Sequence, residues 1–111
     1  MIHEILTASG LPFRQGRFLN PPPETYAVIF DDLEVDGPDA IGVAGLPRII
    51  RHDCMVELYE PAPDPAAEAA LEAALDARGL PWTKEDRYWL QNAQRYQVIY
   101  EFNYIEKRRT I

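Results

Sequence analysis

Apolar side chains alternate with polar ones near the end of the chain, over residues 95–106. One side of this stretch carries aromatic and β-branched residues: Tyr96, Val98, Tyr100, Phe102 and Tyr104. A period of two is typical of a β-strand, and these residue types favour a pleated, half-buried surface. The pattern therefore predicts a long strand with one face on the core.

Two earlier stretches alternate in the same way. Residues 26–31 place Tyr26, Val28 and Phe30 on one face. Residues 49–59 place one histidine and four apolar side chains on a shared face: Ile50, His52, Cys54, Val56 and Leu58. Both patterns predict strands, and a loop between them would join the two strands as an antiparallel hairpin.

A first helix is predicted over residues 2–8. Ile2, Ile5 and Leu6 are spaced by three and four positions, which places them on one helical face. Gly10 follows at a position where glycine often ends a helix.

A second helix is predicted over residues 65–79. Asp64 is a suitable N-cap, Pro65 is allowed at the first helical position, and Gly79 is suited to the end of the helix. Its apolar stripe is rich in alanine: Ala67, Ala70, Leu71, Ala74 and Leu75. Such small side chains allow a close approach, either of the helix to the sheet or of a neighbouring subunit to the helix.

Weaker patterns predict short strands at residues 14–18 and 86–91, which gives the order α-β-β-β-α-β-β. With 111 residues, the chain has the size of a single domain with one core. We therefore predict an α+β fold, in which a mostly antiparallel sheet of four to five strands carries two helices on one face.

A long loop is predicted at residues 32–47, where glycine and proline are frequent. Acidic side chains lie in this loop or at its start: Asp31, Asp32, Glu34, Asp36 and Asp39. Their spacing does not match an EF-hand calcium loop. Loops of this length are uncommon in compact domains and are often functional. The loop is thus either a contact surface for a partner or a flexible hairpin connection.

Acidic residues outnumber basic ones by 18 to 11, and the net charge is −7. This charge argues against binding of duplex DNA or of anionic lipid as the main activity, because phosphate contacts need clustered lysine and arginine. The basic residues Lys107, Arg108 and Arg109 form a short C-terminal tail, residues 107–111, which we expect to be solvated. No apolar stretch reaches the length of a membrane span, and we expect no membrane association.

The stretch His52-Asp53-Cys54 is the one cluster of side chains suited to bind a metal or act as a nucleophile. On a strand, His52 and Cys54 point to one face and Asp53 to the other, so at most two ligands converge where zinc needs three or four. The sequence therefore predicts no metal site. A lone buried cysteine also favours a reducing compartment. Phosphate-cradling and nucleophile-elbow motifs are absent, and we predict neither a catalytic residue nor a cofactor.

The second half of the chain resembles a family of small phage proteins. The resemblance is carried by residues 57–59 (Glu-Leu-Tyr), a Pro- and Asp-rich break, a helix over residues 68–75, Tyr88–Leu90 (Tyr-Trp-Leu) and the tyrosine-rich residues 96–107. These features are similar to those of tail-completion, tail-terminator and head-to-tail joining proteins, which prophages encode in their structural-gene clusters. The resemblance extends over residues 26–107.

The resemblance implies a non-enzymatic subunit of the virion that forms a ring, commonly a hexamer, between the head connector and the tail tube. The implied partners are copies of the chain itself and other tail or connector proteins. Assembly would take place in the cytoplasm of the bacterial host. If the acidic residues line the lumen of the ring, they would repel the DNA backbone and let it slide.

Two other classes of function stay open. The chain is alternatively a small acidic binding module or an inhibitor of a host protein, with the loop at residues 32–47 as its contact surface. In the second class, the chain is a small enzyme or ligand-binding protein that uses His52, Cys54 and the aromatic strands. Several tyrosine hydroxyl groups need water or a partner, which is compatible with an interface.

Overall fold

The computed structural model of the chain describes the backbone of residues 1–35 and 47–109 and the side chains of residues 1–33 and 49–106. Within this part, the elements in chain order are α1 (Ile2–Ser9), β1 (Phe13–Gln15), β2 (Tyr26–Val35), β3 (Pro47–Glu60), α2 (Pro65–Ala77), β4 (Trp82–Lys84), β5 (Tyr88–Leu90) and β6 (Arg95–Arg109).

The described strands form one sheet of six strands in the order β1-β2-β3-β6-β4, and β5 also pairs with β6. Only β1 and β2 run parallel, while every other pair in this part of the chain is antiparallel. The predicted α+β fold with a mostly antiparallel sheet is confirmed. The sixth strand, β4, was not predicted because its three residues are too few to carry a period.

Both helices cover the same face of the sheet, which we call the inner face. Their buried residues form one hydrophobic cluster with inner-face residues of the three central strands: Ile2, Ile5, Leu6, Leu71, Ala74 and Leu75 on the helices, and Ala27, Ile29, Cys54, Val56, Leu58, Val98, Tyr100 and Phe102 on the strands. The apolar face predicted for β6 is therefore the core face. The opposite face of the sheet is called the outer face below.

The predicted caps at the C-terminus of α1 and the N-terminus of α2 are found, whereas α2 ends at Ala77, two residues before its predicted end at Gly79. At the C-terminus of α1, Gly10 adopts a left-handed φ of 77° and its N–H donates to the Thr7 carbonyl. At the N-terminus of α2, the Asp64 carboxylate accepts a hydrogen bond of 3.1 Å from the Ala67 N–H. The Thr25 hydroxyl donates to the same carboxylate, which ties the start of α2 to the start of β2.

A proline-rich segment packs at the outer face beside Tyr26. The Tyr26 ring stacks on Tyr59 at 5.1 Å, and the Arg95 guanidinium lies 5.0 Å above it. Arg95 also donates hydrogen bonds to the carbonyl groups of Pro22 and Glu24. These contacts explain why Tyr26 is buried although it faces away from the helices.

The central strands are longer than predicted. Because β2 pairs with β3 as far as Val35 and β3 begins at Pro47, residues 32–35 and Pro47 are strand residues and not loop residues. The rest of the predicted loop, residues 36–46, lies outside the described residues. Residues 107–109 of the predicted tail continue β6, while residues 110–111 also lie outside.

The molecule is elongated, with extents of 51 × 27 × 22 Å. None of the helices in the described part of the chain is long and apolar enough to cross a membrane.

The buried face of β3 should dominate stability. Replacing the fully buried Leu58 by alanine leaves a cavity between β3 and the helices. We expect L58A to lower the free energy of unfolding by about 2–5 kcal/mol, measured by urea denaturation. The matched control is L19A at a side chain that is 77% exposed, which should change stability by less than about 0.5 kcal/mol. Equal losses in the two variants would contradict this placement of the core.

Candidate functional site

At one end of the sheet, β2, β3 and β6 continue beyond the short strands beside them. β1 pairs with β2 only as far as Ile29, and β4 pairs with β6 only as far as Phe102. We call the remainder the three-stranded end; it comprises residues 30–35 of β2, 47–55 of β3 and 103–109 of β6. Its three strands stay in register from Asp31↔Cys54↔Phe102 to Val35↔Ile50↔Glu106.

At the three-stranded end, some backbone N–H and carbonyl groups of β2 point sideways, away from β3. At the start of β2, the Ala27 N–H donates to Pro12 and the Ile29 carbonyl accepts from Gly16, so odd-numbered residues direct their backbone groups away from β3. The register with β3 continues one residue to one through Val35. The N–H and carbonyl groups of Asp31, Leu33 and Val35 therefore point to an edge that no other strand of the described chain covers.

The far edge of β6 is open in the same way. The Ile99 carbonyl accepts from the Glu85 N–H on the side away from β3, which again assigns outward groups to odd-numbered residues. Continuing along the unbroken register with β3, the outward residues after Phe102 are Asn103, Ile105, Lys107 and Arg109. No described strand pairs with β6 on that side beyond Phe102.

A buried histidine joins the three strands of this end. His52 on β3 is 6% exposed and lies between carboxylates from both neighbouring strands. Its Nδ1 is 3.0 Å from Asp31 Oδ1 on β2, and its Nε2 is 2.9 Å from Glu106 Oε1 on β6. The ring also stacks on Tyr104 with 4.2 Å between centroids. We call this group the histidine bridge.

Both ring nitrogens of His52 lie within hydrogen-bonding distance of a carboxylate. An ionised carboxylate only accepts hydrogen bonds, whereas a neutral imidazole has one donor and one acceptor nitrogen. Two short contacts to two carboxylates are therefore both favourable when the ring is an imidazolium cation. Through these two contacts His52 connects β3 to both β2 and β6.

Cys54 lies beside the histidine bridge as a protonated thiol. Its Sγ is 3.6 Å from Asp31 Oδ1. Burial raises the pKa of the Cys54 thiol to about 12, and the Asp31 carboxylate adds to the shift. Because a thiol in this state is a weak nucleophile, Cys54 serves as a small core residue.

The predicted arrangement of His52-Asp53-Cys54 is found, since His52 and Cys54 are buried on the inner face and Asp53 is exposed. The sequence analysis missed Asp31 and Glu106 as partners of His52, because they lie 21 and 54 residues away in the chain. Among the described residues, no group of three His, Cys, Asp or Glu side chains is placed to hold a metal ion.

The predicted acidic loop is corrected at two of its five residues. Asp32 and Glu34 continue β2 beyond Asp31, which the predicted strand already included. Asp31 faces inward to His52, whereas Asp32 is exposed on the outer face, so the two carboxylates do not share a surface. Asp36 and Asp39 lie outside the described residues. β2 continues past Asp31 because Leu33 and Val35 extend its alternation of apolar and polar residues.

Large apolar side chains are exposed on both faces of the three-stranded end. Leu33 on the inner face is 63% exposed, and Ile105 on the outer face is 59% exposed. Both belong to the residues whose backbone groups point to the open edges. Apolar side chains beside unpaired backbone groups are typical of a surface that another chain covers.

A second polar cluster lies at the opposite end of the core, where α2 meets β4 and the start of β5. Arg87 Nε donates to Glu60 Oε1 at 3.0 Å, and Arg87 also binds Glu68. Lys84 contacts Glu68 and Glu72 at 2.8 Å each. Glu60 is fully buried, and its Oε2 accepts no hydrogen bond.

The pKa values of the two buried carboxyl groups, Glu60 and Glu68, are shifted in opposite directions. Burial raises the pKa of Glu60 above its ordinary value of 4.5, and the neighbouring Glu68 raises it further. Burial also acts to raise the pKa of Glu68, but its interaction with Glu60 and its contacts with Lys84 and Arg87 outweigh burial and hold that pKa below the usual range. A proton on Glu60 would satisfy the hydrogen-bonding capacity of its Oε2. The ion pairs of the cluster hold α2 against the sheet.

No protein-family model matches this chain, and a search of curated proteins also gives no match.

Loss of the histidine bridge should destabilise the protein. In H52A, Asp31 and Glu106 lose the imidazole that lies between them, and the stacking partner of Tyr104 is removed. We expect a loss of about 1–3 kcal/mol in the free energy of unfolding by urea denaturation at neutral pH. H3A is the matched control, since His3 is exposed. If H3A lowered the free energy of unfolding as much as H52A does, the stabilising role of the histidine bridge would be contradicted.

Glu60 should make stability depend on pH. Because its pKa is raised in the folded protein, the native state binds more protons than the unfolded chain above pH 4.5. Its contribution is complete below that pH and is lost as the pH rises, by at most about 1.4 kcal/mol per pH unit.

Glutamine at this position cannot ionise, so E60Q should gain stability relative to the wild type as the pH increases from 5 to 9. Urea denaturation across this range, with E24Q at an exposed glutamate as the control, measures the difference. A stability difference between E60Q and the wild type that stays constant with pH would contradict a raised pKa at Glu60.

Proposed function

We propose that the chain is a non-enzymatic structural subunit that assembles with copies of itself into a ring. Its proposed place is the virion of a long-tailed phage, at the head-tail junction or the end of the tail. The observation that carries the proposal is the three-stranded end, whose two edges are not covered by another strand of the described chain and whose two faces expose Leu33 and Ile105.

The two open edges differ from each other, which favours a ring over a simple dimer. A twofold dimer uses the same surface on both copies, whereas contact between two different surfaces of one chain leads to a closed ring or an open filament. The edge of β2 and the edge of β6 lie on opposite sides of the sheet, with β3 between them. Each copy thus has one surface for the copy before it and another for the copy after it.

The polar clusters support a structural role because their groups bind one another. The imidazole of His52 is occupied by Asp31 and Glu106, and the Arg87 guanidinium is occupied by Glu60 and Glu68. Such groups fix the relative positions of strands and helices. In a ring, the same rigidity would hold the three-stranded end in one orientation for its neighbours.

Acidic residues on the outer face are suited to a lumen through which DNA passes. Asp32 on β2 lies directly across from Asp53 on β3, and both side chains are exposed. If the outer face lines the lumen, these carboxylates would repel the phosphate backbone and let DNA slide. The net charge of −7 for each subunit acts in the same direction.

A second candidate is an acidic binding module or an inhibitor of a host protein. It is favoured by the aromatic residues of β5, where Tyr88 is 65% exposed and Trp89 is 39% exposed. Exposed aromatic side chains are common at the centre of protein interfaces. This candidate predicts a stable monomer and leaves the open strand edges without a role.

The mass of the protein in solution distinguishes the two candidates. We expect light scattering after size exclusion, over a wide range of concentration, to give a discrete oligomer of the 12.7 kDa chain. Electron microscopy of that species should show rings with a central opening. A monomer at every concentration would contradict the self-assembling ring and favour the binding module.

A further inference from the structure

We propose that the edge of β1 is a docking site for an extended acidic segment of a partner protein, in which acidic side chains alternate with large apolar ones. The site consists of the outward backbone groups of β1, an open groove beside them and two arginines that line this groove. It lies outside the three-stranded end, so it does not rest on the proposed ring.

β1 is an edge strand, because it pairs with β2 and with no other strand of the described chain. The Pro12 carbonyl accepts from the Ala27 N–H. Farther along, the Gly16 N–H donates to the Ile29 carbonyl, so the even-numbered residues direct their backbone groups to β2. The N–H and carbonyl groups of Phe13 therefore point away from the sheet. An extended peptide forms backbone hydrogen bonds to such an edge.

An open groove of about 690 Å³, which we call the β1 groove, is lined by residues of α1 and β1 and by Phe18. Towards the inner face, this groove is apolar. Leu11 and Phe13 are half-buried against the core cluster, and the His3 ring meets the Phe13 ring edge to face at 5.8 Å. An apolar side chain on the inner-face side of a docked strand would enter this part of the groove.

Towards the outer face, the β1 groove is basic. Arg14 lies beside the outer-face residue Val28, and its guanidinium lies 5.7 Å from the centre of the Phe18 ring. An adjoining cavity of about 340 Å³ extends the groove past Phe18 to Arg17 and Leu19. Among the described residues, no carboxylate lines either cavity. Carboxylates on the outer-face side of a docked strand would lie near both arginines.

The charge of the β1 groove differs from that of the rest of the protein. Lys84 and Arg87 each bind two glutamates, whereas Arg14 and Arg17 form no ion pair within the described part of the chain. An acidic partner would therefore find two unpaired cations on a chain whose net charge is −7. A nucleic acid fits less well, because two arginines neutralise few phosphates and the acidic remainder of the surface repels them.

Alternation along a strand matches the two sides of the β1 groove. Successive side chains of an extended segment point to opposite faces of the sheet that it joins. A segment that alternates acidic and large apolar residues would place its apolar side chains against Phe13 and its carboxylates near Arg14. Backbone pairing, apolar contact and charge then act in one bound geometry, as in other cases of strand addition.

A short fluorescent peptide, in which glutamate alternates with valine and phenylalanine, tests this site by fluorescence anisotropy. We expect saturable binding to the wild-type protein that weakens as the salt concentration is raised. R14E should weaken this binding at least about 5-fold, because one attraction becomes a repulsion, and it should strengthen binding of the matching lysine peptide. R17E should act in the same direction.

R78E is the matched control for these variants. Arg78 is exposed at the end of α2 and lines neither cavity, so R78E makes the same change in net charge away from the site. We expect it to change the affinity for the glutamate peptide less than about 2-fold. Because Arg14, Arg17 and Arg78 are all exposed, the three variants should keep the circular dichroism spectrum of the wild type.

Two changes in the peptide separate side-chain contacts from backbone pairing. Serine in place of valine and phenylalanine should weaken binding at least about 10-fold, because the apolar side chains are lost. N-methylation of alternate residues removes backbone donors from one edge of the peptide. Methylation of the edge that faces β1 should abolish binding, whereas methylation of the other edge should leave it intact.

Three results would overturn the proposal. The first is no saturable binding of the glutamate peptide at concentrations up to about 1 mM, or equal weakening by R14E and R78E. The second is tighter binding of single-stranded oligothymidylate than of the peptide, which would assign the β1 groove to nucleic acid. The third is loss of self-association in R14E without peptide binding to the wild type, which would assign the groove to a second copy of the chain.

Discussion

β3 pairs with β6 along its whole length, from Pro47↔Arg109 to Glu60↔Tyr96, and the rest of the structure depends on this ladder. It sets which residues of both strands face the helices, because a shift of one residue would turn each strand over. It also carries the sheet beyond the helices at one end. The hydrophobic core and the three-stranded end are thus two parts of the same long strand pair.

The two polar clusters lie at opposite ends of this ladder and secure different neighbours. At one end, His52 joins β3 to β2 and β6 through Asp31 and Glu106. At the other end, Glu60 and Arg87 join β3 to the residues before β5, and Glu68 brings in α2. Each cluster joins polar side chains of different elements at a place where the apolar core ends. Apart from Cys54, the core cluster itself consists of aliphatic and aromatic side chains.

Much of the fold could be predicted from the sequence, because long alternating stretches and the capped helix α2 carry strong periodic signals. The end of β2 was missed because Asp31 and Asp32 resemble the start of a loop, although Leu33 and Val35 continue the alternation. The short strand β4 has too few residues to show a period. The partners of His52 could not be found at all, since contacts between three strands depend on a register that no single stretch encodes.

The central claim is that copies of the chain assemble with one another into a ring. An electron-microscopy reconstruction of the wild-type oligomer tests it most directly. The account predicts a closed ring with a central opening, in which the three-stranded ends lie at the contacts between copies. A monomer, or an oligomer in which the three-stranded ends face solvent, would contradict it.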